Sequence, residues 1–230
     1  MTHGFSVEHH AVIGSTNDRA KELAMQGQAH VCVTADGQTG GRGRRGRSFR
    51  SETGCGLYLS VVLPAEEAQM LTVRAAVAVA EAIGELTGVF PGIKWVNDLF
   101  LNGKKVCGIL AEGVAGKPFA VLGIGINLKK QTFPEELRAI ASDLESETGV
   151  LVEPTAMRDA ILRRLSEPVP ADLLARYEKR CFVLGKRVTV FRGSETFEAL
   201  AVGLDAAGGL VVEHDGQRET LCSGEVSIKG

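Results

Sequence analysis

Asn102-Gly103 lies between two apolar runs, and few dipeptides restrict a fold more. Both residues accept the left-handed backbone of a two-residue hairpin, so Leu99-Phe100-Leu101 must turn back and pair with the run from Lys104 to Glu112. Gly116-Lys117 marks a second turn, and Phe-Ala-Val-Leu-Gly-Ile-Gly-Ile-Asn (Phe119 to Asn127) reads as a third strand, apolar enough to be buried on both sides. Upstream, Ile93 to Asp98 reads as a strand leading into Leu99. Strands joined by hairpins give an antiparallel sheet, which excludes the strand-helix-strand crossovers of a dinucleotide fold in this region.

The flanks supply helices and further strands. Val12-Ile13 ends a strand, and Ser15 is a fair N-cap with Asp18 three residues on and an apolar face begun by Ala20, Leu23 and Ala24. The polar groups of Ser15, Thr16 and Asn17 either cap this helix alone or also face a ligand beside its start. His30 to Ala35 and Gly56 to Leu63 read as strands, the second ended by Pro64. Ala68 to Leu86 has helical spacing and ends before Gly88; Pro134 to Arg180 also reads as helices. Beyond Leu184-Gly185 come five short strands, around Arg187–Phe191, Phe197–Gly203, Leu210–Glu213, Thr220–Cys222 and Val226–Ile228. Gly208-Gly209 and Asp215-Gly216 turn between them, the pattern of a small barrel. The expected division is a domain over 1–183 and a small barrel over 184–230.

Between the second and third predicted strands stands Gln38-Thr39-Gly40-Gly41-Arg42-Gly43-Arg44-Arg45-Gly46-Arg47, with four arginines and four glycines in ten positions. Glycine lets backbone N–H groups approach a ligand closely, and guanidinium forks match phosphates and carboxylates. Such a loop is expected to stay unfolded until an anion arrives and then close over it. Gly41-x-Gly43-x-x-Gly46 mimics the dinucleotide fingerprint, and Gly41 to Ser48 nearly matches a P-loop. Both motifs require a following helix, and a loop and strand follow here. A solvated or RNA-binding segment is the remaining reading of the run by itself.

Composition narrows the choice. A net charge of −2 and 5% aromatic residues speak against a general nucleic-acid-binding module. Five scattered cysteines without a C-x-x-C pair indicate neither a disulfide framework nor a zinc site; Cys32 and Cys107 fall in apolar runs as small core residues. No apolar run is long enough to span a bilayer, and Met1 to Phe5 show no secretory signal, so a cytoplasmic protein with no membrane partner is expected.

Ser15 to Asn17 (S-T-N), the arginine loop, Lys94 to Asp98 (K-W-V-N-D), Lys105 to Glu112 (K-V-C-G-I-L-A-E) and Gly123 to Asn127 (G-I-G-I-N) stand in an order that resembles the catalytic domain of biotin–protein ligases. Gly224 to Ile228 resembles the end of that family's C-terminal barrel. Three positions depart from the family pattern: Gly40 where alanine is usual, Val96 where proline is common, and Phe49 where tryptophan stands.

The resemblance implies an α+β fold, a mixed, largely antiparallel sheet flanked by helices of the class II synthetase and biotin ligase type, with a small C-terminal SH3-like β-barrel. It implies a monofunctional enzyme without the helix-turn-helix of the repressor members, hence no DNA partner. The reaction implied is activation of biotin by ATP to biotinyl-5′-AMP, then transfer to a lysine of a biotin carboxyl carrier domain. A lipoate–protein ligase is the neighbouring alternative, disfavoured by the arginine loop and K-W-V-N-D.

By motif position Ser15, Thr16, Asn17, Gln38, Arg42, Gly43, Arg44 and Lys105 are expected at biotin, with Gly123 and Gly125 leaving room for its rings. Arg44, Arg45, Arg47, Phe49, Lys94, Asn97 and Asn127 are expected at ATP, Phe49 stacking on adenine. Arg44, Lys105 and Asp98 are the expected catalytic residues. Asp98 either accepts a proton from the attacking lysine or holds a cation of the loop. Mg²⁺ is expected to arrive with ATP and not on dedicated protein ligands. The cations have a physical task, because two like charges about 4 Å apart repel by about 4 kcal/mol at an effective dielectric near 20. A sheet edge is the expected site for pairing with a second copy.

Overall fold

The computed structural model describes residues 2–65, 68–222 and 225–228, so Met1 and the Gly224 of the C-terminal motif lie outside the described residues. Seven strands form the main sheet: β1 (Ser6–Ile13), β2 (Val31–Gln38), β3 (Gly56–Pro64), β4 (Gly92–Lys94), β5 (Asp98–Leu101), β6 (Lys104–Gly113) and β7 (Phe119–Asn127). Their spatial order is β1-β2-β3-β7-β6-β5-β4. β1 and β2 run parallel around helix α1 (Thr16–Met25), and the other pairs are antiparallel. The sheet is therefore mixed and largely antiparallel, as read from the chain. Asn102 and Gly103 take positive φ values of 47° and 79° at the expected hairpin.

The run from Ile93 to Leu101 is not continuous. A turn at residues 95–97 separates β4 from β5, so two short strands replace the one extended segment expected. The apolar character of Trp95 and Val96 comes from burial inside a turn and not from strand packing.

Strand alternation sorts the side chains onto two faces. Leu57, Leu59, Val61 and Leu63 of β3 and Leu122, Ile124 and Ile126 of β7 join one large core. Helices α2 (Ala68–Thr87), α5 (Pro154–Ser166) and α6 (Leu173–Arg180) cover this face, and α2 contributes Leu71, Val79 and Ile83 to it. On the other face Val31, Val33, Val62 and Val121 meet Ala20, Leu23 and Ala24 of α1 in a separate apolar patch. Helix α1 is only 10 residues long, so this face continues past its N-terminus as Ser60, Gly123 and Gly125. Short helices α3 (Glu135–Arg138) and α4 (Leu144–Thr148) follow β7.

The second sheet holds β8 (Arg187–Arg192), β9 (Glu195–Leu204), β10 (Leu210–His214), β11 (Gln217–Leu221) and β12 (Glu225–Ile228), all antiparallel in the order β11-β10-β9-β8-β12. This is the expected SH3-like unit. It joins the main core through Val188, Val190, Ala201 and Val226. One polar tie adds direction: Trp95 Nε1 donates to the Gly208 carbonyl at 3.0 Å; within the main unit Tyr177 Oη donates to the Val96 carbonyl at 3.1 Å and fixes the same turn.

Cys32 and Cys107 are fully buried as read, and all five cysteines are free. Burial pushes the Cys32 thiol up to about 12 and the Cys107 thiol higher, so neither is a nucleophile at neutral pH. Trp95→Phe keeps the apolar body and strands the buried Gly208 carbonyl. It should lower stability by about 1–3 kcal/mol, read as a fall in the urea midpoint.

Candidate active site

Two adjoining cavities open on the polar face beyond α1. The first is lined by Ser15, Thr16, Asn17, Gln38, Arg42, Gly123 and Gly125. The second is lined by Arg45, Arg47, Lys94, Asp98 and Glu225. Gly43, Arg44, Phe49, Asn97 and Lys105 border both. The set expected at biotin thus surrounds one cavity, and the set expected at ATP, except Asn127, surrounds the other. Asn127 is elsewhere. It is buried at the end of β7, where its Nδ2 donates to the Ser142 carbonyl at 2.9 Å and ties that loop down.

The start of α1 serves both readings of S-T-N. Ser15 Oγ accepts from the Asp18 N–H, a long cap at 3.4 Å, while Ser15, Thr16 and Asn17 are buried against the cavity. Gln38 closes the corner: its Oε1 accepts from the Thr16 N–H at 2.8 Å, and its Nε2 donates to Ser51 Oγ at 2.8 Å. Ser60, unremarkable in the sequence, contacts Thr16 Oγ1 at 2.8 Å and Asn17 Oδ1. Only the alternation of β3 showed that it must face this way.

Lys105 reaches the site through a β-bulge. Leu99 pairs with Cys107 but Phe100 pairs with Lys105, so Val106 is the extra residue. Val106 and Cys107 both enter the core, and Lys105 is returned to the face of Gly108, with its ammonium beside that glycine's Cα. Asp98 Oδ1 holds Lys105 Nζ at 2.7 Å and accepts from Asn97 Nδ2 at 2.8 Å. Asn97 Oδ1 in turn accepts from Arg44 at 2.9 Å. Burial pulls Arg44 below its ordinary value, against the opposing pull of Asp98, yet a guanidinium stays charged at neutral pH.

The arginine loop follows a folded path in the structure. Arg42 and Ser48 bridge, and Arg44–Gly46 form one 3₁₀ turn with Arg45 at a left-handed φ of 56°. Arg42 pairs with Asp18 and with Glu112 at 3.0 Å, and the Asp18 bond, opposed by burial, helps raise its pKa. Arg47 grips Glu225 of β12 through two bonds of 3.0 and 2.7 Å, and Arg45 donates to the Phe191 carbonyl at 3.3 Å. Burial raises the Glu225 pKa, but Arg47 outweighs it and leaves the carboxyl low. These C-terminal partners were not singled out from the sequence, because nothing local indicates which strand a loop arginine will meet.

Gly123 and Gly125 make room for protein side chains in this structure. A Cβ at Gly123 would lie 2.1 Å from Asn17 Oδ1, so this glycine makes room for Asn17. A Cβ at Gly125 would lie 2.5 Å from the Phe49 ring, which rests on Gly125 and Gly108 and meets Tyr58 edge-on at 6.4 Å. The Phe49 ring thus occupies the floor between the cavities. Their free volumes are about 50 and 110 Å³, below the roughly 300–1,000 Å³ of most ligand pockets. Phe49 and its loop must move for a ligand to enter. Among the described residues no group of three or more His, Cys, Asp or Glu is placed to hold a metal ion, and no helix is long and apolar enough to cross a membrane.

Residues 10–128 match the family model for the biotin/lipoate A/B protein ligase family, and residues 183–229 match that for the biotin protein ligase C terminal domain. The chain belongs to this ligase family. It is 33% identical to the bifunctional ligase/repressor BirA of Bacillus subtilis over 96% of this chain and 73% of that one. It is 30% identical to the biotin–[acetyl-CoA-carboxylase] ligase of Mycobacterium tuberculosis over 94% of this chain and 86% of that relative. The biotin protein ligase of Aquifex aeolicus, solved in complex with biotin and ATP, superposes with a TM-score of 0.86 at 29% identity, covering 97% of this chain and 98% of that one.

Gly123→Ala sets a methyl group against an amide held at both ends, so about 1–3 kcal/mol of stability should be lost. Gly113→Ala, which meets nothing within 4 Å, should shift stability by less than about 0.5 kcal/mol. Thermal unfolding of the two variants compares them directly.

Proposed function

We propose that this ligase adenylates biotin in the paired cavities and passes the biotinyl group to a lysine of a carrier domain. In the first step a carboxylate oxygen of biotin attacks the α-phosphorus of ATP, the bond to the bridging oxygen breaks and pyrophosphate leaves. In the second, an amine attacks the acyl carbon of biotinyl-5′-AMP, AMP leaves with the electron pair of the acyl–oxygen bond, and the amine loses its proton.

One observation carries the reading: a cavity with a corner of hydroxyl and amide groups (Ser15, Thr16, Asn17, Gln38) adjoins a cationic one, and Arg44, Asn97 and Lys105 stand on their shared wall. A neutral cyclic urea suits the first and a triphosphate the second. The reacting carboxylate and α-phosphate would then meet at Arg44 and Lys105, where opposed cations reduce their repulsion.

Arg45, Arg47 and Lys94 are assigned to the remaining phosphate charge, and Phe49 to adenine once its ring leaves the glycine floor. Mg²⁺ fits as the counter-ion of the nucleotide, held by phosphate oxygens; it would neutralise charge on the leaving pyrophosphate. Asp98 already holds Lys105, which supports a positioning role in the first step. In the second step the same carboxylate can orient the incoming ammonium and accept its proton. The acceptor assigned is the carrier domain of a biotin-dependent carboxylase. The cytoplasm is the compartment assigned to the reaction, and the outer edge of β1 is the surface assigned to homodimer formation.

Labelled biotin, Mg-ATP and a purified carrier domain test the assignment. Pyrophosphate release should require biotin, and carrier labelling should require both substrates; release without biotin would defeat it. Arg44→Gly should leak its adenylate and label bystander lysines. Trypsin should cut between Arg42 and Arg50 more slowly by tenfold or so once biotin and ATP are bound, as loop closure shields the backbone.

A further inference from the structure

Glu112 lines neither cavity, yet three donors converge on its carboxylate: Lys21 Nζ at 2.9 Å, Asn17 Nδ2 at 3.0 Å and Arg42 Nη2 at 3.0 Å. Its side chain is 21% exposed. Burial raises its pKa, but donation from Lys21 and Asn17 outweighs this and keeps the carboxyl below the ordinary range. It is therefore an obligate acceptor at neutral pH.

That fixes the direction of the hydrogen bonds beside it. Because the carboxylate only accepts, the Asn17 amide must turn its NH₂ toward Glu112 and its Oδ1 toward Ser60. Ser60 has one proton for two neighbouring oxygens, and Asn17 Oδ1 can only accept, so the proton goes there. The Thr16 hydroxyl also has one proton for two acceptors, Gln38 Oε1 at 3.1 Å and Ser60 Oγ at 2.8 Å, and the shorter contact, left without a donor by Ser60, takes it. Gln38 Oε1 already accepts the Thr16 N–H. The relay runs from Thr16 through Ser60 and Asn17 to Glu112. It leaves the second Asn17 N–H to meet a carbonyl oxygen, and a Thr16 Oγ1 lone pair to meet an N–H. A cyclic urea presents one carbonyl flanked by two N–H groups, which is the complementary pattern.

We propose that Glu112 is a positioning residue for biotin: it sets the polarity of the Thr16–Ser60–Asn17 relay and moors Arg42, the root of the arginine loop, to β6. This rests on the first cavity taking biotin. Glu112→Gln preserves shape but lets an NH₂ face the Asn17 amide, whose flip would reverse the relay.

The test is a double-mutant cycle read by calorimetry with biotin and by steady-state kinetics. Glu112→Gln should weaken biotin binding about tenfold to a hundredfold, the scale of one lost hydrogen bond to a charged group. The KM for ATP should stay within about twofold, whereas general loosening of the fold would move both constants. In an Asn17→Ala background, Glu112→Gln should cost less than about threefold, since the relay is already cut. If Glu112→Gln does not fold, Glu112→Asp, which retains the charge on a shorter arm, carries the same cycle. Losses that multiply independently, or unchanged biotin affinity in a folded Glu112 variant while the parent binds, would overturn the positioning role alone. A parent that binds no biotin would overturn the assignment of the cavity, and this inference with it.

Discussion

A strand cannot offer one residue to both faces of a sheet, and the site depends on that restriction. Strands β3, β6 and β7 send alternate residues into a dry core under α2 and α5, which leaves the intervening positions for the opposite face. Where α1 covers that face the positions are valines; where α1 has not yet begun they are Ser60, Gly108, Gly123 and Gly125. The same pleat that closes the core therefore opens the cavity, and glycine at the floor admits Asn17 and Phe49 to van der Waals contact with the backbone. Adding a Cβ there changes the shape of the cavity and its packing together, because one surface does both.

Three cations of the site already hold carboxylates. Arg42 holds Asp18 and Glu112, Arg47 holds Glu225, and Lys105 holds Asp98. A polyanion entering here exchanges partners and does not neutralise bare charge. For the exposed pairs the exchange is cheap, since such bridges contribute about 0–1 kcal/mol each. Arg44 differs: it is largely withdrawn from water and held by Asn97, so its place between the cavities is set before any ligand arrives. Preorganised charge at the point of reaction, with exchangeable charge around it, suits a site that must first bind and then release a charged product. The tie from Arg47 to β12 also makes the C-terminal sheet part of the wall of the second cavity.

Much of this was legible along the chain. Asn102-Gly103 forced the β5–β6 hairpin, and the apolar run from Phe119 to Asn127 was the buried central strand β7. Local chemistry sufficed there, because turn geometry and alternation act within a few residues. Asn127 shows what a motif position leaves unsaid: its neighbours Gly123 and Gly125 are on the floor of the site, and its own Nδ2 meets the Ser142 carbonyl, a partner nothing in the local sequence indicates. The apolar residues Trp95 and Val96 read as strand because burial in a turn and burial in a sheet look alike in sequence. Glu112 and Ser60 had no individual signal, since each matters through partners 95 and 43 positions away.

By itself, the sequence determined the strands, the hairpin, the helix starts and the kinds of residue available to meet an anion and a neutral polar ring. These follow from backbone preference and side-chain chemistry that neighbours in the chain dictate. Tertiary structure decided which of those residues share a cavity, which are claimed by structure, and which way each amide points. The one extra residue at Val106 turns Lys105 toward the site, and the acceptor-only carboxylate of Glu112 orients Asn17. Register and hydrogen-bond direction depend on groups that meet only after the sheet has closed, so no stretch of the chain contains them in advance.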